Sequence, residues 1–219
     1  MTAFSTWDIV SNLLLAARWT VLLSLLAFVG GGVVGLVVLY ARIARRAWLR
    51  RAAGLYIELF QGTPLLMQLF LIFFGLPLLG LDVSPWAAAF VSLTLWSSAF
   101  VAEIWRGCVE SIPKGQWEAS SSLAMSFVEQ LRYVILPQSM RIAVPPTVGF
   151  SVQVVKGTAL TSIIGFVELS KAATIITNAT FEPFTVYGFA ALIYFALCWP
   201  LPKSSQILER NLNVAHHHP

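Results

Sequence analysis

Charged residues are scarce in this chain, and their scarcity excludes an ordinary soluble domain. Of its 219 residues, 11% are Asp, Glu, Lys or Arg and 58% are hydrophobic, whereas a soluble domain carries about 25% charged residues. A soluble core of this size would need a polar shell around it. The sequence therefore predicts that lipid, rather than water, surrounds most of the protein.

Cysteine and histidine are also scarce, which removes several kinds of chemistry. Cys108 and Cys198 lie far apart and form neither a disulfide framework nor a metal-like spacing. The histidines are confined to the tail at 216–218, and we assign them no function. Since no Asp lies in an apolar run, an intramembrane enzyme would lack both a nucleophile with its base and a metal site. We expect no catalytic residue and no metal.

Long uncharged runs indicate an all-α membrane protein with about five transmembrane helices. A helix needs about 20 apolar residues to cross a hydrocarbon core of about 30 Å. Four runs of 20 to 23 residues contain no charge, and a fifth is interrupted only by Lys156. The predicted spans are residues 19–41, 59–81, 83–102, 142–167 and 183–202.

The distribution of basic residues predicts the orientation. Eleven Lys and Arg residues fall on one side of these spans and two, Arg18 and Lys171, on the other. The positive-inside rule then places the N-terminus outside and the C-terminus in the cytosol. The net charge of +4 is explained by these blocks, so we expect no nucleic-acid partner. We divide the chain into an external interfacial segment at 1–18, one transmembrane domain at 19–210 and a tail at 211–219.

The loop between spans 3 and 4, at about 107–141, is long enough to carry structure of its own. Residues 116–130 are predicted to form a short helix between Pro113 and Pro137. Its apolar residues need a partner, which is either the lipid interface or another protein. Weakly basic flanks favour a protein. Those apolar residues are Trp117, Leu123, Phe127 and Leu131.

Sequence motifs at this loop resemble a known family. EASSSLA at 118–124, followed by ILP at 135–137, resembles the EAA loop of ABC-importer permeases. Further segments are similar to the polar amino-acid permeases of the histidine and glutamine importers. These are ELFQGTPLL at 58–66, AEIWRG at 102–107, IPKGQWEA at 112–119 and LPQ at 136–138. The chain departs from the family with Ser120 for Ala, Ala124 for Gly, Gln61 for Arg and Gly149 for Asn.

The resemblance implies a permease subunit of an ATP-driven importer of polar L-amino acids in the bacterial cytoplasmic membrane. It implies two ATPase subunits, a second permease subunit that is the same or a different chain, and a periplasmic or surface solute-binding protein. ATP and Mg would be bound by the ATPase, since the chain contains no GxxxxGK[ST] loop and binds no cofactor of its own. The ATPase-coupling residues are expected to be Gly115, Glu118, Ala119, Ala124 and Pro137.

Charged residues inside spans are functional candidates, because placing one at the bilayer centre costs roughly 2.5 to 3.5 kcal/mol. We expect Lys156 to face the protein interior or the substrate pathway, with Gln153, Thr158 and Thr161 near it. It binds either the α-carboxylate of a substrate or carbonyl groups that hold the subunits together. Glu103 and Arg106 are three residues apart and are expected to pair with each other.

A second class of function has to be weighed against the importer. A secondary transporter or channel subunit shares the same hydropathy. It ordinarily shows inverted repeats or a filter-like segment, and inspection of the sequence finds neither.

Overall fold

A computed structural model describes residues 5–214, and this part of the chain is built of α-helices without strands. The helices, in chain order, are α1 (Thr6–Arg42), α2 (Ala47–Gly62), α3 (Leu65–Leu78), α4 (Pro85–Glu110), α5 (Lys114–Ser122), α6 (Phe127–Ile164), α7 (Leu169–Thr180), α8 (Pro183–Cys198) and α9 (Pro200–Val214). Residues 1–4 and 215–219, with the tail histidines, lie outside the described part.

The first helix is longer than predicted. Ser5 caps it, because the Ser5 hydroxyl accepts from the Asp8 amide and the Asp8 carboxylate accepts from the Ser5 amide. The helix then runs for 37 residues, about 56 Å at 1.5 Å per residue. It continues without a break through residue 18, where the sequence predicted the end of a separate segment. That its first turns lie at the external interface stays a prediction.

The second predicted span, 59–81, is not one straight helix. Helices α2 and α3 meet at Thr63 and Pro64 with a bend of 102°. Pro64 has no amide hydrogen to donate, and its ring disfavours helical geometry for Thr63, whose ψ is 143°. The bend leaves backbone carbonyl groups at the end of α2 without helical partners. Gln68 supplies a donor, since its Nε2 donates to the Phe60 and Thr63 carbonyl oxygens at 2.9 and 3.1 Å.

The remaining spans confirm the prediction of about five. Four stretches of helix are long and apolar enough to cross a membrane, and the bent pair of α2 and α3 raises the number to five. Helix α6 continues for 38 residues, and α8 is followed almost directly by α9. Over residues 5–214 the protein is therefore a helical membrane protein, as the composition predicted.

Helix α1 packs most extensively against α4, through small residues. Gly31 and Gly35 lie against Ser97, Ser98 and Val101 of α4, and the Ser97 hydroxyl donates to the Ala27 carbonyl oxygen at 3.1 Å. Because Gly31 and Gly35 have no side chains, the backbones of α1 and α4 approach closely there, as is usual where membrane helices associate. At its other end, α1 packs on α7 and α8 through Ile9 and Leu13.

Candidate functional site

The loop between α4 and α6 folds differently from the prediction of one helix at 116–130. Helix α4 ends at Glu110, α5 is confined to Lys114–Ser122, and α6 begins at Phe127. Ser126 and Glu129 form a capping box, with the Ser126 amide donating to the Glu129 carboxylate at 2.8 Å. This cap starts a new helix, and residues from 127 onward belong to the next span.

Pro137 was expected to end the short helix, but it lies inside α6. The turn before it, Gln130–Ile135, has the wider π-type hydrogen bonding. A proline removes an amide donor and its ring crowds the carbonyl four residues earlier, so a widened turn relieves both effects. Pro137 is therefore on a different helix from Glu118.

Helix α5 is mounted firmly on the ends of its neighbours. The ring of Trp117 stacks on the ring of Phe127, with their centroids 6.1 Å apart. The Arg45 guanidinium lies 4.9 Å from the centroid of the Phe127 ring. Gln138 of α6 donates to the Gln116 side chain at 3.2 Å. Helix α5 thus contacts α6 at two points, and Arg45 of the turn between α1 and α2 reaches it only through Phe127, so a displacement of α5 is passed to α6 first. The cluster below it contains Val109, Ile112, Leu131 and Ile135.

The outer face of α5 is open, and three of the four apolar residues that were expected to need an external partner are covered within the chain instead. Trp117, Phe127 and Leu131 pack within the chain. Gly115, Glu118 and Ala119 are exposed, so the structure brings these three predicted coupling residues onto one surface. Beside them Leu123 is 77% exposed. Ser120 is buried and its hydroxyl donates to the Trp117 carbonyl oxygen at 3.0 Å.

Ala124 ends α5 in a left-handed conformation, with a φ of 58°. The Met125 amide donates to the Ser120 carbonyl oxygen at 3.3 Å, and the Ala124 amide donates to that of Ser121 at 2.9 Å. This pair of bonds is the Schellman motif, in which glycine is preferred because a β-carbon is crowded there. The structure thus explains why the resembling family has glycine at this position.

We predict that Ala124→Gly stabilises the end of α5 by about 1 kcal/mol, because it removes the crowding of the β-carbon. Hydrogen exchange of the amides at 119–125 should slow. Ala119→Gly is the matched control, since the same substitution in a right-handed turn costs about 1 kcal/mol and should speed exchange. Faster exchange in both variants would contradict the account.

The residues expected around Lys156 separate into two groups. Lys156 and Gln153 are exposed on the described chain, and Lys156 lines a cleft of about 470 Å³ between α6 and α8 with Tyr194, Cys198 and Trp199. Thr158 and Thr161 are buried on the other side of the helix, and their hydroxyls donate to backbone carbonyls at 2.8 and 2.6 Å. Thr158 and Thr161 therefore do not line the cleft of Lys156, although we expected them near it.

The predicted pairing of Glu103 with Arg106 is confirmed. The Arg106 Nη2 lies 2.5 Å from the Glu103 Oε1, and Arg106 also pairs with Glu110. The two acidic residues lie on either side of the arginine along one face of α4. These pairs satisfy the charges near the end of the span.

Glu168 is a polar centre that the sequence analysis overlooked. Its side chain is fully buried and caps α7, where the Lys171 amide donates to Oε1 at 3.0 Å. The Tyr194 hydroxyl of α8 donates to Oε2 at 2.7 Å, and the Thr20 hydroxyl of α1 donates to the same atom at 3.3 Å. One carboxylate thus joins three helices. The available sequence signal was an acidic residue directly before an amphipathic helix.

Comparison with known proteins gives consistent matches. A family described as "Binding-protein-dependent transport system inner membrane component" matches residues 31–213. The probable amino-acid ABC transporter permease protein YckA of Bacillus subtilis is 40% identical over 192 residues, covering 88% of this chain and 85% of that protein. The glutamine transport system permease protein GlnP of Escherichia coli is 33% identical, covering 95% and 96% of the two chains.

Two solved structures share the fold. A crystal structure of an amino acid ABC transporter with histidines superposes with a TM-score of 0.87 at 33% identity, covering 92% of this chain and 94% of that one. The MetNI methionine ABC transporter, in an inward-facing conformation, matches with a TM-score of 0.76 at 22% identity, covering 91% and 96%. The second likeness concerns the fold alone.

Proposed function

The chain belongs to the family of inner-membrane components of binding-protein-dependent transport systems, and on that basis we propose that it is the permease subunit of an ATP-driven amino-acid importer. Relatives over nearly the full length carry amino-acid, glutamine and cystine transport names, which supports a polar L-amino acid as the substrate. The membrane is the bacterial cytoplasmic membrane in this proposal, with the N-terminus outside.

The observation that carries the coupling proposal is the outer surface of α5. Gly115, Glu118 and Ala119 are exposed on it, while Trp117 anchors the opposite side. Gly115 has open space where a β-carbon would stand, so another protein can approach the backbone there. We assign this surface to an ATPase subunit, with one ATPase for each of two permease subunits.

The mechanism follows from how α5 is mounted. Closure of the ATP-loaded ATPase dimer would push on α5, and the stacked pair of Trp117 and Phe127 would transmit the displacement to α4 and α6. Rigid-body rocking of two permease bundles then alternates the opening of the pathway. A solute-binding protein supplies the amino acid at the outer face. This chain contributes no ATP-binding residue, and ATP with Mg belongs to the partner.

Lys156 is proposed to line the pathway and to meet the α-carboxylate of the substrate. Lys156 faces a cleft and forms no ion pair within the described chain, which supports this assignment. A lysine that faced lipid would be costly. Lys156→Met should leave assembly and basal ATP hydrolysis intact while abolishing uptake, and Lys171→Met is its control. Uptake with an unchanged apparent affinity would rule out substrate contact.

Site-specific cross-linking tests the coupling proposal. In a background lacking Cys108 and Cys198, we expect Ser122→Cys, on α5, to cross-link to the ATPase subunit of the purified complex. Ser84→Cys is the matched control, because Ser84 is also exposed but precedes α4 at its opposite end. It should react with an external thiol reagent instead.

Two results would contradict these proposals. An assembled complex in which Ser84→Cys, but not Ser122→Cys, cross-links to the ATPase would contradict the coupling surface and the orientation. Amino-acid uptake by proteoliposomes that hold the permease without its ATPase would contradict the importer itself, because that is the behaviour of a secondary transporter or channel.

A further inference from the structure

The junction of α1 and α2 carries a basic cleft that the transport proposal does not use. Arg42 lies in the last turn of α1, and Arg50 and Arg51 lie in the first turns of α2. Together with Gly54, Leu55 and Glu58 they line a cleft of about 440 Å³. Three arginines and one glutamate give this lining a formal net charge of +2.

None of these arginines forms an ion pair with a carboxylate within 4.0 Å among the described residues. Across residues 5–211, the only ion pairs within 4.0 Å are those of Arg106. Arg50 is partly satisfied, since its Nη1 donates to the Ala44 and Arg45 carbonyl oxygens at 3.0 and 2.8 Å. The Arg42 Nε is buried and finds no acceptor among the described residues. A group of guanidinium ions left in this state favours an anionic ligand.

Gly54 keeps the cleft open. A β-carbon at Gly54 would lie 3.8 Å from the Arg42 Cζ and 3.9 Å from its Nη1. That is ordinary contact, so alanine fits there, but a larger side chain would occupy the space in front of the guanidinium. The glycine therefore leaves the Arg42 guanidinium accessible from the α2 side.

The outer side of α2 is apolar and open beside this cleft. Leu55 and Leu59 are 67% and 59% exposed, and Trp48 is 63% exposed at the start of the helix. Trp48, Leu55 and Leu59 share one helical stripe, because their spacing is seven and four residues. A tryptophan and arginines at the end of an apolar span are typical of the headgroup level of a membrane. A ligand in this cleft would therefore meet cations at one end of the cleft and apolar side chains at the other.

We propose that this cleft binds the phosphate of an anionic membrane phospholipid, with its acyl chains along Leu55 and Leu59. Arg42 and Arg51 hold the phosphate, and Arg50 positions the turn between the two helices. Glu58 opposes binding and limits the affinity. Since α1 packs on α4 and α2 contacts both, the bound lipid braces the junction of three helices.

Lipid titration of the purified full-length complex tests the proposal. Phosphatidylglycerol is added to mixed micelles of detergent and phosphatidylcholine, and both the unfolding temperature and the lipids retained in native mass spectrometry are measured. We expect a saturable rise in unfolding temperature with one retained phosphatidylglycerol per permease chain. Arg51→Gln should weaken the apparent affinity about tenfold, because a charge-assisted contact is lost. Glu58→Gln should strengthen it, and Gly54→Leu should prevent retention without changing the charge.

Arg46→Gln is the matched control, since Arg46 is exposed in the same basic loop but does not line the cleft. Equal weakening in Arg46→Gln and Arg51→Gln would overturn the proposal in favour of diffuse surface charge. Displacement of the lipid effect by millimolar inorganic phosphate would overturn it in favour of a free-anion site. Equal retention of phosphatidylcholine would show that no phosphate-specific lipid site exists.

Discussion

Gly31→Ala is expected to lower the stability of the protein by about 2 kcal/mol, through overpacking between α1 and α4. The added β-carbon would lie 2.1 Å from the Ser97 hydroxyl oxygen, 3.0 Å from the Ser97 β-carbon and 3.3 Å from the Ser98 amide nitrogen. Rotating the hydroxyl away does not relieve the last two contacts, and it breaks the bond to the Ala27 carbonyl oxygen. The two helices must therefore separate.

The neighbouring Gly32 provides the control for this prediction. An alanine there meets only the Trp105 ring, at 3.9 Å, which is ordinary contact. Because alanine is the better helix former, Gly32→Ala should be neutral or stabilising by up to about 1 kcal/mol. Thermal unfolding in detergent, followed by size-exclusion fluorescence, measures both variants. If Gly31→Ala and Gly32→Ala unfold at the same temperature, the close approach of α1 and α4 is wrong.

Glu168→Ala is expected to lower the free energy of unfolding by about 3 kcal/mol or more. The substitution removes the cap of α7 and leaves the buried Thr20 hydroxyl and the partly buried Tyr194 hydroxyl without the carboxylate oxygen to which both donate. Each unsatisfied buried group costs about 1 to 3 kcal/mol, and a lost N-cap about 1 kcal/mol. Glu168→Gln should be less damaging, because its amide oxygen still accepts.

Glu182 is a matched control for Glu168. It also precedes a helix, at the N-terminus of α8, but its side chain is exposed and makes no capping hydrogen bond. Glu182→Ala should leave the unfolding temperature nearly unchanged, while Tyr194→Phe should lower it by less than Glu168→Ala. The yield of folded protein and its unfolding temperature are the measurements. Equal behaviour of Glu168→Ala and Glu182→Ala would refute the role assigned to the buried carboxylate.

The local sequence pattern predicted the presence of α5 but not its length or its packing. The spacing of apolar residues predicted a short helix at 116–130, and the structure has a helix at Lys114–Ser122. The length of that helix was wrong, because amphipathic spacing continues across the break at Ala124. Only the backbone conformation shows that Trp117 and Phe127, on separate helices, pack against each other.

Composition and the uncharged runs by themselves determined a helical membrane protein of about five spans, because hydrophobic length is a property of each segment alone. The order of motifs likewise determined the family. Tertiary structure decided the bend at Thr63 and Pro64, since membrane helices also accept proline without breaking. It also decided that Gly31 meets Ser97 and that Glu168 meets Thr20 and Tyr194. Those contacts join residues far apart in the chain, so they depend on how the helices pack and leave no periodic trace in the sequence.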